Sequence, residues 1–130
     1  MKKLTSIVLS VILALGCLAF GTNALAAGGS VTTYNGIQVT TLPYTVSGLT
    51  INNIEFSSGN KVTITVKNNT GYPISGLSSI EYKCYNGSGT VLKSGSCYLE
   101  DMKKGESCIA TFYVESGTKK IIFGNAKIYK

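Results

Sequence analysis

The side chains of this chain that could act as nucleophiles or soft metal ligands are four cysteines, Cys17, Cys84, Cys97 and Cys108. Its acids are Glu55, Glu81, Glu100, Asp101, Glu106 and Glu115. There is no histidine, so the usual general base and the usual zinc or copper ligand are both missing. The last three cysteines are separated by thirteen and eleven residues, which is not the close pairing of a zinc knuckle. Serines are plentiful, but none sits in a GxSxG setting. Two carboxylates could in principle hydrolyse a glycoside, but that chemistry needs a shaped cleft, and a chain of this length has little surplus from which to build one. Glu100, Asp101 and Glu106 crowd one corner, where a hard cation would look for oxygen ligands. Lys103 and Lys104 stand beside them and the ligand count falls short, so a solvated turn is the plainer account. The expectation is a protein that is not an enzyme, with no catalytic residue, no metal and no cofactor.

The remaining chemistry is that of contact. Eight tyrosines are present, and an exposed tyrosine offers a flat apolar face with a hydroxyl handle, suited to a protein surface or a sugar ring. Which tyrosines are exposed depends on the elements that carry them. In "KVTITVKN", Val62, Ile64 and Val66 alternate with polar residues, the period-two pattern of a strand with one face in a core and the other in water. "ATFYV" repeats it, with Ala110, Phe112 and Val114 facing in and Tyr113 facing out. In "SIEYKCY", Ile80, Tyr82 and Cys84 share the inner face, while Glu81, Lys83 and Tyr85 share the outer one. Tyr85 and Tyr113 are therefore the expected ligand contacts.

Between the apolar runs fall Asn35-Gly36, Ser58-Gly59-Asn60, Asn69-Thr70-Gly71, Asn86-Gly87-Ser88-Gly89, Lys104-Gly105 and Ser116-Gly117. Residues that tolerate positive φ at these points reverse the chain about every ten residues. Beyond the amino-terminal segment, no helical three-and-four spacing of apolar residues occurs. The pattern predicts an all-β protein, an antiparallel β-sandwich of about seven strands. In the last segment, "KKIIFGNAKIYK", the alternation changes phase at Gly124, where a bulge is expected, and its charged end, Lys127 to Lys130, suits an edge or terminal strand.

The amino terminus reads as an export signal. Two lysines precede an apolar run from Leu4 to about Phe20, and Ala24-Leu25-Ala26 supplies a small-x-small cleavage pattern. A cleavable signal helix over 1–26, a flexible leader over 27–33 and a sandwich domain over 34–130 are expected. The alternative is a lipoprotein anchored through Cys17, since "LALGC" partly matches the site at which bacterial lipoproteins are modified. Cleavage leaves 104 residues, one domain in size, with ten lysines against six acids and a net charge of +4. No arginine is available for bidentate contact with bases or phosphates, so no nucleic-acid partner is expected.

The stretches "YKCYNGSGTVL" and "YLEDMKKGESCIATF" resemble the FxLYD family of small immunoglobulin-like domains in exported bacterial proteins. The family's aromatic, any, apolar, tyrosine, acid pattern aligns with Tyr82, Lys83, Cys84, Tyr85 and Asn86, with tyrosine, cysteine and asparagine replacing phenylalanine, leucine and aspartate. Its later turn aligns with Met102, Lys104, Gly105 and Glu106, and the resemblance covers Ile51 to Lys130. It implies an immunoglobulin-like sandwich in a surface or envelope setting, and no catalytic residues.

By themselves the three cysteines left after cleavage allow any of three pairings, each leaving one thiol over. The order of strands implied by the resemblance gathers all three at one end of the sandwich. It implies a disulfide between Cys97 and Cys108, across the corner that joins their strands, with Cys84 left as a buried free thiol. The function expected is that of a secreted or cell-envelope binding domain of undefined ligand, monomeric and without a membrane span after cleavage, whose partner is a protein or glycan at the cell surface. A carbohydrate-binding module using exposed tyrosines, or a structural or inhibitor protein acting through an edge strand, are the alternatives.

Overall fold

Runs of alternating apolar residues become the central strands of two stacked sheets. The computed structural model describes residues 30–130; the expected signal segment 1–26, Cys17 and the first part of the leader lie outside the described residues. Nine strands follow in order: β1 Val31–Tyr34, β2 Ile37–Thr40, β3 Tyr44–Val46, β4 Leu49–Ser57, β5 Lys61–Asn68, β6 Ser79–Tyr85, β7 Val91–Tyr98, β8 Ser107–Tyr113 and β9 Lys120–Lys127. One sheet has the order β1-β2-β9-β6-β7 and the other β3-β4-β5-β8. No helix occurs among the described residues. The all-β sandwich is as expected, with nine strands in place of about seven.

The inner faces are those that alternation assigns. Val62, Ile64 and Val66 of β5 are fully buried, as are Ile80 and Cys84 of β6, and Ala110 and Phe112 of β8 join them. The rings of Tyr82 and Phe112 stack across the two sheets at 4.1 Å between centroids, and Phe123 of β9 meets Phe112 edge-on at 6.1 Å. Offset and edge-on contacts of this kind add to the burial of the rings themselves.

The extra strands come from short segments. Val31 to Thr33, expected in a flexible leader, instead form β1 with Tyr34 and pair with β2. Their β-branched residues favour an extended backbone, and Asn35-Gly36, at φ 51° and 81°, makes the two-residue turn that closes the hairpin. β3 has only three residues and follows the cis Leu42-Pro43 bond.

β9 is the last strand in chain order, one of the two places its charged end suits, but it is not an edge. It lies inside the five-stranded sheet, antiparallel to β6 and parallel to β2, the latter through Gln38↔Lys120 and Val39↔Ile121. The bulge expected at Gly124 is present: Ile80 pairs with Ala126 and Tyr82 with Phe123, so Glu81 alone faces both Gly124 and Asn125.

Candidate functional site

An open groove of about 610 Å³ lies on the outer face of β9, β6 and β7. Its floor follows from strand pairing. Glu81 of β6 lies beside Ser96 of β7, and Lys83 lies between Ser94 of β7 and Ile122 of β9. Tyr85 walls one end, and the Nζ of its cross-strand neighbour Lys120 lies 5.7 Å from the ring centroid. At the bulge Gly124 leaves room, because an added Cβ would come 3.7 Å from the Cβ and Oε1 of Glu81. Asn125 completes that side, and Tyr44 of β3 reaches it with a hydroxyl that donates to the Gly124 carbonyl at 3.0 Å.

The lining offers one carboxylate, one ammonium group, two serine hydroxyls, an amide, and the rings and hydroxyls of Tyr44, Tyr82 and Tyr85. Glu81 is the single acid among the lining residues, so a hydrolysis that needs two facing carboxylates has no second one here. Two of the three acids of the β7–β8 corner are engaged with backbone: Asp101 Oδ1 accepts from Gly76 N at 2.6 Å, and Glu106 Oε1 from Lys103 N at 2.7 Å. Among the described residues, no three of the cysteines and acids cluster as metal ligands would.

The two tyrosines singled out by alternation do not share a site. Tyr85 belongs to the groove, whereas Tyr113 is exposed on the outer face of β8, in the other sheet. Its carbonyl oxygen accepts a hydrogen bond from Lys93 Nζ at 2.7 Å.

The cysteines depart further from expectation. Cys84, Cys97 and Cys108 are all free thiols, so the Cys97–Cys108 bond implied by the resemblance is not formed. Nor do the three gather at one end. Cys84 pairs with Lys93 and Cys97 with Ile80, which places them towards opposite ends of the β6–β7 ladder. Burial pushes the Cys97 thiol up to about 12, and Cys108 adds to that shift. Burial also raises Cys84 and Cys108. A thiol held protonated is a weak nucleophile.

Sequence reasoning placed Glu81, Lys83 and Tyr85 on one outer face. It did not find Ser94, Ser96, Ile122 and Asn125, which become their neighbours only through strand pairing. The phase change at Gly124 was the one local signal that pointed to the groove.

These features define a two-sheet all-β domain with an open groove on one outer face. No protein-family model, curated protein or solved structure matches the chain. No helix of the described residues is long and apolar enough to cross a membrane.

Proposed function

We propose that the protein is a secreted or cell-envelope, non-enzymatic binding domain that takes a protein or glycan of the cell surface into the groove of its five-stranded sheet. The observation that carries this reading is the groove lining: Glu81, Lys83, Ser94, Ser96 and Asn125 set hydrogen-bond donors and acceptors around the ring of Tyr85. Binding sites commonly combine such a flat aromatic surface with a few placed polar groups. The amino-terminal charge, apolar run and Ala24-Leu25-Ala26 support export. An immunoglobulin-like, FxLYD-like reading is supported by the Tyr82 to Asn86 pattern of β6 and by the corner from Met102 to Glu106.

The glycan version is favoured by the serine hydroxyls and the Asn125 amide set beside the Tyr85 ring, as suits a hydroxyl-rich chain. The test applies residues 27–130 to a glycan array and to envelope extracts, beside the double variant Tyr85→Ala, Lys83→Ala. A retained ligand lost by about tenfold or more in the variant, at unchanged thermal stability, is the expected result. Equal retention by both proteins, or none by the wild type, overturns the reading.

A further inference from the structure

Four strands end the two sheets, and three of them carry features that discourage pairing with another chain. β1 and β3 have four and three residues. β7 is longer, but Leu92 is an extra residue in its ladder with β6, since Cys84 pairs with Lys93 and Tyr85 with Val91. β7 also carries Lys93, whose ammonium reaches the Tyr113 carbonyl. Short length, bulges and lysines are the ordinary means of protecting an edge.

β8 has none of these. Its sequence, SCIATFY, holds no charge, proline or glycine. Seven consecutive pairs with β5, from Lys67↔Ser107 to Lys61↔Tyr113, run without a register shift. The bonds at its two ends fix which backbone groups are free: Asn68 N donates to Glu106 O and Val114 N donates to Asn60 O. Even-numbered residues therefore point their backbone groups at β5, and Ser107, Ile109, Thr111 and Tyr113 point theirs away from the sheet. Lys93 occupies the Tyr113 carbonyl. The N–H and C=O of Ile109 and Thr111 remain open to the side, beside an Ile109 side chain that is 64% exposed and a Tyr113 that is 53% exposed.

We infer that β8 is an interaction edge whose occupant is the β8 of a second copy of this chain, joined antiparallel about a two-fold axis. The pairing is self-complementary. An axis at Ala110 sets Ile109 opposite Thr111 of the second copy and Ser107 opposite its Tyr113. Two bonded pairs at the centre exchange about four backbone hydrogen bonds. In a chain of net charge +6, an uncharged strand is the place where two copies approach with least repulsion, so a second copy fits this edge without any further sequence feature. The dimer replaces the monomer expected from sequence, and it leaves the groove free, because the groove lies on the other sheet.

The test is sedimentation over a range of concentrations with residues 27–130, together with amide exchange. A monomer–dimer equilibrium is expected, with the amides of Ile109 and Thr111 slowing in exchange as concentration rises. Ile109→Lys puts two like charges into the two-fold contact and weakens association by roughly tenfold or more; Thr111→Lys does the same from the neighbouring position. Both side chains are exposed, so thermal stability at low concentration stays that of the wild type. A monomer at every concentration up to about 1 mM overturns the inference. So does a dimer that Ile109→Lys leaves intact, or protection of these amides only when a foreign extended peptide is added, which would assign the edge to another protein.

Discussion

At the scale of single residues, burial decides what the reactive groups can do. Cys97 is nearly inaccessible, its thiol is pushed up to about 12 from an ordinary 9.0, and the cause is loss of hydration with Cys108 as a lesser contributor. Below pH 9 the folded and unfolded chains both hold this proton, and the associated stability is fully present. Between pH 9 and about 12 the unfolded chain releases the proton while the folded one keeps it, so stability falls as pH rises through that window. Chemical denaturation across this range is expected to give a shallower alkaline decline for Cys97→Ala than for the wild type, and equal slopes would show that the thiol is not the group responsible. The same burial predicts that alkylation at pH 8 is slow in the native protein and rapid in denaturant. Gly95 is constrained from the opposite direction. An added Cβ there would lie 2.8 Å from the Tyr82 hydroxyl, so the glycine of β7 is what lets that ring lie flat against Phe112.

At the scale of elements, β9 shows how a local irregularity is accommodated. Just before its bulge the Phe123 N–H faces β2, beyond the two residues over which their parallel pairing extends. The Thr40 hydroxyl accepts that N–H at 3.0 Å in a buried setting. Thr40→Val keeps the shape and removes the acceptor, so a loss of about 1–3 kcal/mol is expected, the cost of a buried donor left unpaired. Urea denaturation measures it, and an unchanged midpoint would mean that the hydroxyl contributes nothing. The bulge itself was legible in the sequence because alternation breaks at Gly124, and β5, β6 and β8 were legible because their periods are clean. β1 was not, since four residues, two of them threonine, give too short a pattern to read. Strand order was equally hidden. The charged end of the last segment suits an edge or terminal strand, but Lys120 pairs with Tyr85 inside the sheet and covers its ring. Alternation could say that Tyr85 and Tyr113 point outward, yet it carries no information about which sheet each strand joins. The groove suffers the same limit: Glu81 and Lys83 meet Ser96 and Ser94 only through a pairing that no local pattern specifies.

At the scale of the whole molecule, a sandwich of two thin sheets must be closed at its ends as well as packed between its faces. Asn68, the last residue of β5, is fully buried and closes one end. Its Nδ2 donates to the carbonyls of Tyr72, Met102 and Lys103, at 2.8, 3.3 and 3.1 Å, and its Oδ1 accepts from both the N–H and the hydroxyl of Thr70. One side chain thus ties the four-stranded sheet to the loop leaving it and to the corner between β7 and β8, which starts in the five-stranded sheet. Met102 in that corner bridges to Ile74, so the corner is also fastened to the chain entering β6. Asn68→Ala removes the donors and the acceptor together and leaves several of their partners buried without replacement. A loss of about 2–4 kcal/mol is expected on the cost of unpaired buried polar groups, a large share of the roughly 5–15 kcal/mol that holds an ordinary domain together. Because the ties cross between segments, the loss is expected to lower one cooperative transition rather than release the corner alone. Near-ultraviolet circular dichroism and amide exchange at Met102 and Ile74 should report the same midpoint in the variant. A separate early transition of the corner would show that Asn68 secures a loop and not the sandwich.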